Sequence, residues 1–198
     1  MKKKVIVLIV ILLLCAALLV WCLWANTALT TTVIDVPAGE GLPAEFEGFR
    51  IAHISDLHNA VFGDGNEKLL TLLREAEPDI IAVTGDLIDS RHTDVDAAVA
   101  FIASAAGTAP VYYVTGNHES RLDFENIEPR LTDAGAQVLR NSAVYIERGG
   151  GIIQLAGIDD PAFIRTGGEA SARASSELEG LLDADVYSVL LAHRPELI

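Results

Sequence analysis

Three short β-rich runs alternate with two helical stretches between residues 50 and 115, and this alternation constrains the fold more than any other feature of the sequence. The β-rich runs are Arg50 to Ile54, Asp79 to Thr84 and Val111 to Thr115, and the helical stretches are Glu67 to Ala76 and Val95 to Ala105. Strand, helix and strand in succession are typical of parallel βαβ crossovers. The pattern therefore predicts an α/β fold in which helices cover a parallel sheet.

Shorter elements are predicted elsewhere in the chain. Hydrophobic runs bounded by turn-forming residues predict two more helices, at Ile127 to Ala134 and Ser175 to Leu182, and five more strands, at Thr31 to Val36, Gln137 to Leu139, Ala143 to Ile146, Ile152 to Ala156 and Tyr187 to Ala192. The three glycines 149 to 151 indicate a hairpin-like turn between two of these strands. Thr93 is in position to cap the helix that starts at Val95.

Each of the three β-rich runs, and the last predicted strand, ends in polar residues of the kinds that bind metal ions. Because the carboxyl ends of parallel strands face one crevice, clusters that are far apart in the sequence are expected to converge there. Asp86 carries two carboxylate oxygens and can bridge two cations. The candidate metal ligands are Asp56, His58, Asp86, Asn117 and His193.

The ligand types narrow the choice of metal and reaction. Mixed oxygen and nitrogen ligation without thiolate suits Mn²⁺, Fe²⁺ or Zn²⁺. Two such ions a few ångströms apart would hold a phosphoryl group and activate the attacking water. Gly85 and Gly116 each precede a candidate ligand, where the chain must turn sharply off a strand. The competing interpretation is that Asp, Asn and Gly only form turns at strand ends, which explains any single residue better than the ordered set.

The order of these clusters resembles the calcineurin-like metallophosphoesterase superfamily. The matching motifs are DLH, GDLID and GNHE, in which Asp56, Asp86 and Asn117 are 30 and 31 residues apart, followed by a lone histidine in LLAHRPE. The resemblance covers Phe49 to Ile198. The apolar N-terminus and GIDDP at Gly157 to Pro161 are most similar to the bacterial membrane-associated phosphodiesterase branch. The resemblance implies a four-layer αββα sandwich and a phosphodiesterase in which metal-bound hydroxide attacks phosphorus.

The resemblance also implies how two divalent ions are shared among the ligands. Asp56 and His58 would bind the first ion, and Asn117 and His193 the second. Asp86 would bridge both ions.

Three neighbouring residues receive supporting roles from the same resemblance. His118 would lie beside the phosphoryl oxygens, where it stabilises charge or protonates the leaving alkoxide. Asp89 and Glu119 would orient ligands or the neighbouring backbone. For Arg194 two interpretations stay open, contact with a substrate phosphate or an ion pair with Glu196.

The family's closing GHxH motif is not found before Ile198. We therefore expect the sequence to be a C-terminally truncated member in which the sandwich is incomplete and each ion lacks one protein ligand.

An unbroken apolar run from Val5 to Ala25 follows three lysines, residues 2 to 4, and no basic residue comes just after it. About 20 apolar residues match the hydrocarbon thickness of a bilayer, and Trp21 and Trp24 are placed like interfacial aromatics. This predicts a transmembrane anchor at 1–25, a tether at 26–48 and the metallophosphoesterase domain at 49–198, with a cytoplasmic N-terminus and an extracytoplasmic domain in the cell membrane. A cleaved signal peptide is the competing interpretation.

Charge and cysteine content exclude several classes of protein. The chain carries 28 acidic and 14 basic residues and a formal net charge of −14, which argues against binding to duplex nucleic acid. Cys15 and Cys22 both lie in the apolar run, so a disulfide scaffold and a cysteine-rich zinc site are excluded.

Two functional hypotheses follow from the sequence. The first is a membrane-tethered, two-metal hydrolase whose phosphoester substrate is lipid-linked or part of the cell envelope. The second is a truncated, catalytically inactive domain that binds metal or serves as a scaffold at the membrane.

Overall fold

A computed structural model describes residues 2–37, 39–163, 176 and 178–197. The chain divides into two units, Met1–Ile34 and Asp35–Ile198. The first unit contains helix α1 (Lys2–Thr27). Within it, Lys3–Ala25 has a mean hydropathy of 3.4 and contains no buried residue, so the helix is long and apolar enough to cross a membrane.

The strand predicted at Thr31 to Val36 is wrong. This segment has no regular secondary structure, and Val33 and Ile34 are 81% and 77% exposed. A strand is stabilised by hydrogen bonds to a neighbouring strand, and no described residue supplies such bonds here. The β-branched composition alone was therefore not sufficient.

The second unit contains a four-stranded parallel sheet. Its strands are β1 (Ile51–Ile54), β2 (Ile80–Thr84), β3 (Val111–Val114) and β4 (Ala136–Val138), arranged in the order β1-β2-β3-β4. The crossovers between these strands carry helices α2 (Glu67–Ala76), α3 (Val95–Ala106) and α4 (Phe124–Asp133). The α/β prediction with a parallel sheet is confirmed.

Strand β2 shows why both faces of this sheet are covered, because all five of its residues are buried. Ile81 and Val83 pack with the apolar side chains of the helices, including Leu73 and Phe101. Ile80 and Ala82, on the opposite face, pack against the second sheet. A continuous apolar run is what a strand buried on both faces requires.

The second sheet consists of β5 (Ser142–Arg148), β6 (Gly151–Gly157) and β7 (Ser188–Leu191). Strands β5 and β6 form an antiparallel hairpin, and β7 pairs with β6 in parallel. The hairpin turn at Gly149 and Gly150 has positive φ at both residues, 58° and 97°, which glycine adopts without strain. Leu155 and Leu191 form the inter-sheet core with the first sheet.

The described residues show the helix layer and the two sheets of the predicted sandwich. Of the predicted helix Ser175 to Leu182, much lies outside the described residues, but residues 178–181 are helical. There the carbonyl of Leu181 accepts a hydrogen bond from Gln154 of β6. The N-cap of α3 is Asp94 rather than Thr93, because the Asp94 carboxylate accepts a hydrogen bond from the Ala97 N–H.

Candidate metal centre

The loops that follow β1, β2 and β3 and the end of β7 bring together four of the five predicted metal ligands, Asp56, His58, Asp86 and His193. Two clusters of ligand-type atoms form there, each within 4.8 Å: His58, Asp86 and His118, and Asp56, Asp86 and His193. Asp56 and His58, which were predicted to share one ion, also lie close together, with 3.7 Å between Oδ1 and Nε2. The residue that both clusters share is Asp86.

Asp86 lies at the middle of the centre with only 3% of its surface exposed. One carboxylate oxygen, Oδ1, accepts a hydrogen bond of 2.8 Å from the His118 N–H. The other, Oδ2, lies 3.5 Å from Nε2 of both His58 and His193. Burial raises the pKa of the Asp86 carboxyl, but the interactions with the His193 side chain and with the His118 N–H outweigh it and hold the pKa below its usual value.

These separations fit a shared cation better than direct hydrogen bonds. A distance of 3.5 Å is beyond the usual range of an N–H···O bond. Nitrogen and oxygen donors that lie about 2.1 Å from one cation are roughly 3 to 3.5 Å apart. The side chains of Asp56 and Asp86 are anionic, whereas the imidazoles offer neutral nitrogen ligands. The donor set therefore fits the divalent metal ions that the sequence predicts.

The turns that carry the ligands are strained. Asp56, His58 and Asp86 have φ values of 55°, 47° and 50°, a region that non-glycine residues seldom adopt. Backbone strain of this kind is concentrated at functional sites.

Gly116 allows the β3 loop to pack directly against Asp86. A Cβ atom at position 116 would lie 2.3 Å from Oδ1 and 2.4 Å from the backbone nitrogen of Asp86. Any larger residue would displace the central carboxylate, which explains the glycine before Asn117.

Two histidines are held in defined tautomers by backbone groups. The Nδ1–H of His193 donates to the Thr84 carbonyl at 2.8 Å, because a carbonyl oxygen can only accept. Nδ1 of His118 instead accepts a hydrogen bond of 3.0 Å from the Ser90 N–H, so its neutral ring carries hydrogen on Nε2. In its neutral form His193 therefore has a free lone pair on Nε2 for a metal ion, whereas neutral His118 presents a donor at Nε2.

The Asp86 carboxylate raises the pKa of His193 to about 9 in the metal-free protein, although burial opposes this shift. Since the folded-state pKa exceeds the ordinary value of 6.5, the stabilising charge pair is complete below pH 6.5 and is lost as the pH rises through about 9. We expect the free energy of unfolding of the metal-free chain to fall by about 2 to 3 kcal/mol over this interval. Urea titration of the full-length chain in detergent with EDTA measures it.

The matched control for this pH dependence is His92→Gln, because His92 has a side chain that is 89% exposed. That variant should retain the full pH dependence, and His193→Gln should lose it. An unchanged slope in His193→Gln would assign the titration to another group.

Glu119 holds together the backbones of two loops that carry residues of the centre. Its side chain is completely buried, and it accepts hydrogen bonds from three backbone N–H groups. Oε2 accepts from Gly116 at 2.8 Å and from Asp86 at 2.9 Å, while Oε1 accepts from Ile88 at 3.1 Å. One carboxylate therefore ties the β2 loop to the β3 loop.

The remaining two predicted residues, Asn117 and Asp89, lie in the same loops. Asn117 is half-buried between Gly116 and His118, and its side-chain amide makes no hydrogen bond to any described residue. The Asp89 carboxylate lies 3.6 Å from Nδ1 of His118. A hydrogen bond from the Arg91 N–H is the main reason that the pKa of Asp89 is lowered.

Several supporting contacts were not predicted from the sequence. The backbone carbonyl of Thr84 orients His193, and the backbone N–H of Ser90 orients His118. Every residue has a backbone carbonyl, and every residue but proline a backbone N–H, so the sequence does not show which of them makes such a contact. Asn59 accepts a hydrogen bond from the Asp89 N–H at 2.8 Å, and its position just after the DLH motif was the available signal.

Of the two interpretations left open for Arg194, the ion pair with Glu196 is not found among the described residues. Arg194 instead donates two hydrogen bonds to the buried carboxylate of Asp160. A buried anion binds the nearest cation more strongly than an exposed one does, because water screens it less.

Comparison with known proteins agrees with this geometry. The family model for calcineurin-like phosphoesterases matches residues 49–197. An uncharacterized metallophosphoesterase of Bacillus subtilis (strain 168), YkoQ, is 31% identical over 171 residues, covering 83% of this chain and 60% of that protein. A transmembrane protein with metallophosphoesterase domain from Danio rerio is also 31% identical, over 68% of this chain and 32% of its own length.

Among solved structures, the protein TT1561 of Thermus thermophilus superposes with a TM-score of 0.54 at 16% identity, covering 72% of this chain and 66% of that one. This likeness concerns the fold alone. The chain spans less than two thirds of the length of either curated relative. With the family model matched over three quarters of the sequence and the ordered DLH, GDLID and GNHE motifs gathered at one centre, the chain belongs to the calcineurin-like phosphoesterase family.

Proposed function

We propose that this protein is a metal-dependent phosphoric ester hydrolase that uses two divalent ions to cleave phosphodiesters. The observation that carries the proposal is Asp86, a buried carboxylate shared by two clusters of ligand-type atoms. A carboxylate that belongs to both clusters is suited to bridging two cations. The residues proposed to hold Mn²⁺, Fe²⁺ or Zn²⁺ are Asp56, His58, Asp86, Asn117 and His193.

When bound, such ions stabilise developing charge on a phosphoryl group and lower the pKa of water. The chain's own residues hold and orient the reacting groups. The Ser90 N–H fixes the ring of His118, which lies with its centroid 4.4 Å from that of His58. In the neutral ring, the N–H at Nε2 can donate a hydrogen bond to a phosphoryl oxygen and stabilise the charge that develops there. His118 is therefore the proposed catalytic residue.

The loops around His118 support this role. The Asp89 carboxylate lies 3.6 Å from Nδ1 of His118 and places a negative charge beside the ring. Glu119, the next residue, anchors the same loop through the backbone of Gly116. Both residues thus orient His118 rather than contact the substrate.

The N-terminal helix supports a location at the membrane. We infer that residues 1–25 anchor the protein, residues 26–48 form a tether and residues 49–198 form the catalytic domain. The three lysines before the helix favour a cytoplasmic N-terminus and an extracytoplasmic domain in the cell membrane. A tethered domain reaches substrates near the lipid head groups, which favours a lipid-linked or cell-envelope phosphodiester.

The test is Mn²⁺-dependent hydrolysis of bis(p-nitrophenyl) phosphate by the full-length chain in detergent micelles, with p-nitrophenyl phosphate as the monoester comparison. We expect cleavage that EDTA abolishes and added Mn²⁺ restores, with the diester preferred. Hydrolysis that survives EDTA would refute the metal-dependent mechanism. Binding of Mn²⁺ without hydrolysis would instead support the inactive metal-binding domain.

A further inference from the structure

Asp160 of GIDDP and Arg194 of AHRPE, which the proposed chemistry does not use, form an ion pair whose carboxylate is buried. Nε of Arg194 donates to Oδ2 of Asp160 at 2.6 Å, and Nη2 donates to Oδ1. The Asp160 side chain is completely buried, and that of Arg194 is 31% exposed. Resting on the proposed function, we infer that Asp160 and Arg194 are a positioning pair that holds His193 at the metal centre.

Asp160 is fixed to the part of the fold that carries the other ligands. Its backbone N–H donates to Oγ1 of Thr115 at 3.2 Å, and this hydroxyl in turn donates to Asp159 at 2.8 Å. Thr115 is fully buried and directly precedes Gly116, which packs against Asp86. The position of the Asp160 carboxylate is therefore fixed relative to the end of β3.

The backbone of His193 needs such a link. The ladder between β6 and β7 ends at Leu191, whose carbonyl accepts the last hydrogen bond, from Ile158. Between Leu191 and Pro195, no described backbone group hydrogen-bonds to the sheets. His193 orients its ring through Thr84, but that bond does not fix the path of the chain. Arg194, the next residue, ties this path to Asp160.

A role in stability alone does not account for this pair. Burying a charge costs free energy, and an apolar pair of similar volume is often equally stable. A bidentate hydrogen-bonded contact between arginine and a carboxylate has a defined geometry that an apolar pair lacks. Because this contact joins the residue after His193 to β3, its geometry sets how far Nε2 of His193 lies from Asp86. Residues that orient metal ligands in this way change metal affinity about 10- to 100-fold when they are removed.

The experiment is calorimetric titration of the full-length chain in detergent with MnCl₂, alongside its urea unfolding midpoint. Two variants remove the geometry without leaving a buried unpaired charge: Arg194→Lys, and the double variant Asp160→Asn with Arg194→Gln. We expect two Mn²⁺ sites in the parent chain, and a second site that is about 10- to 100-fold weaker in both variants. The control Asp96→Asn breaks an ion pair with Arg130 whose carboxylate side chain is 88% exposed, and it should leave both affinities unchanged.

The outcomes separate this inference from the proposed function. A parent chain that binds no Mn²⁺ would refute the proposed metal centre, and the positioning role with it. A parent chain that binds two ions, with parent-like affinity in a cooperatively folded variant, would overturn the positioning role alone. Should the double variant fail to fold, the Mn²⁺ affinity of Arg194→Lys tests the positioning role, because this variant retains both charges and loses only the bidentate contact.

Discussion

Replacement of Asp86 by asparagine is expected to lower the Mn²⁺-dependent hydrolysis of bis(p-nitrophenyl) phosphate on the order of a thousandfold. The amide keeps the size of the side chain and an oxygen that can accept the hydrogen bond from the His118 N–H. It removes the negative charge that both clusters of ligand-type atoms share. Neither ion would then retain its common ligand. The rate is measured at saturating Mn²⁺ in detergent micelles.

The matched control for this variant is again Asp96→Asn, which removes one negative charge from the exposed surface of the same domain. Its rate should stay within about twofold of the parent rate, since exposed ion pairs contribute little. Hydrolysis by Asp86→Asn at the parent rate would show that the two clusters do not share a catalytic centre.

The parts of the fold that the sequence predicts well are those with a strong local pattern. Helix α2 occupies Glu67–Ala76, the predicted range, because its leucines recur with the helical period and Pro78 disfavours its continuation. Strand β2 was recognisable as a run of four apolar residues followed by Thr84, and all five are buried. In both elements, local propensity and burial favour the same conformation.

The predictions that failed depended on partners distant in the sequence. Thr31 to Val36 has strand-forming residues but no described strand beside it. Arg194 has an acidic neighbour two residues away, yet it binds Asp160, which is 34 residues earlier in the chain. Spacing along the sequence does not reveal which buried carboxylate lies within reach, because that depends on how β6 and β7 are paired.

The candidate site was more predictable than these contacts because the topology itself brings strand ends together. Asp56 and Asp86 follow adjacent parallel strands, so their convergence needs only the correct strand order. The orientation of each ligand was not predictable. The tautomer of His193, for example, is set by a main-chain carbonyl, and every residue has one.

Glu119 is expected to give the largest loss of stability of any single substitution at this centre. In Glu119→Gln, an NH₂ group replaces one carboxylate oxygen and faces a backbone N–H, so at least one of the three hydrogen bonds becomes a contact between two donors. A buried N–H left without an acceptor costs about 1 to 3 kcal/mol, and the lost bonds to a charged group add to this. We expect the free energy of unfolding to fall by about 3 kcal/mol in urea titrations with EDTA.

The expected loss in free energy of unfolding is this large because the carboxylate of Glu119 accepts hydrogen bonds from two loops at once. Its Oε2 atom holds the N–H groups of Asp86 and Gly116, which belong to the loops after β2 and β3. Glu119→Ala would leave all three N–H groups without an acceptor and add a cavity, so its loss should be larger still. Glu125→Gln, at an exposed position on α4, should stay within about 0.5 kcal/mol of the parent chain. Equal stability of the Glu119 and Glu125 variants would mean that the buried carboxylate does not hold the two loops together.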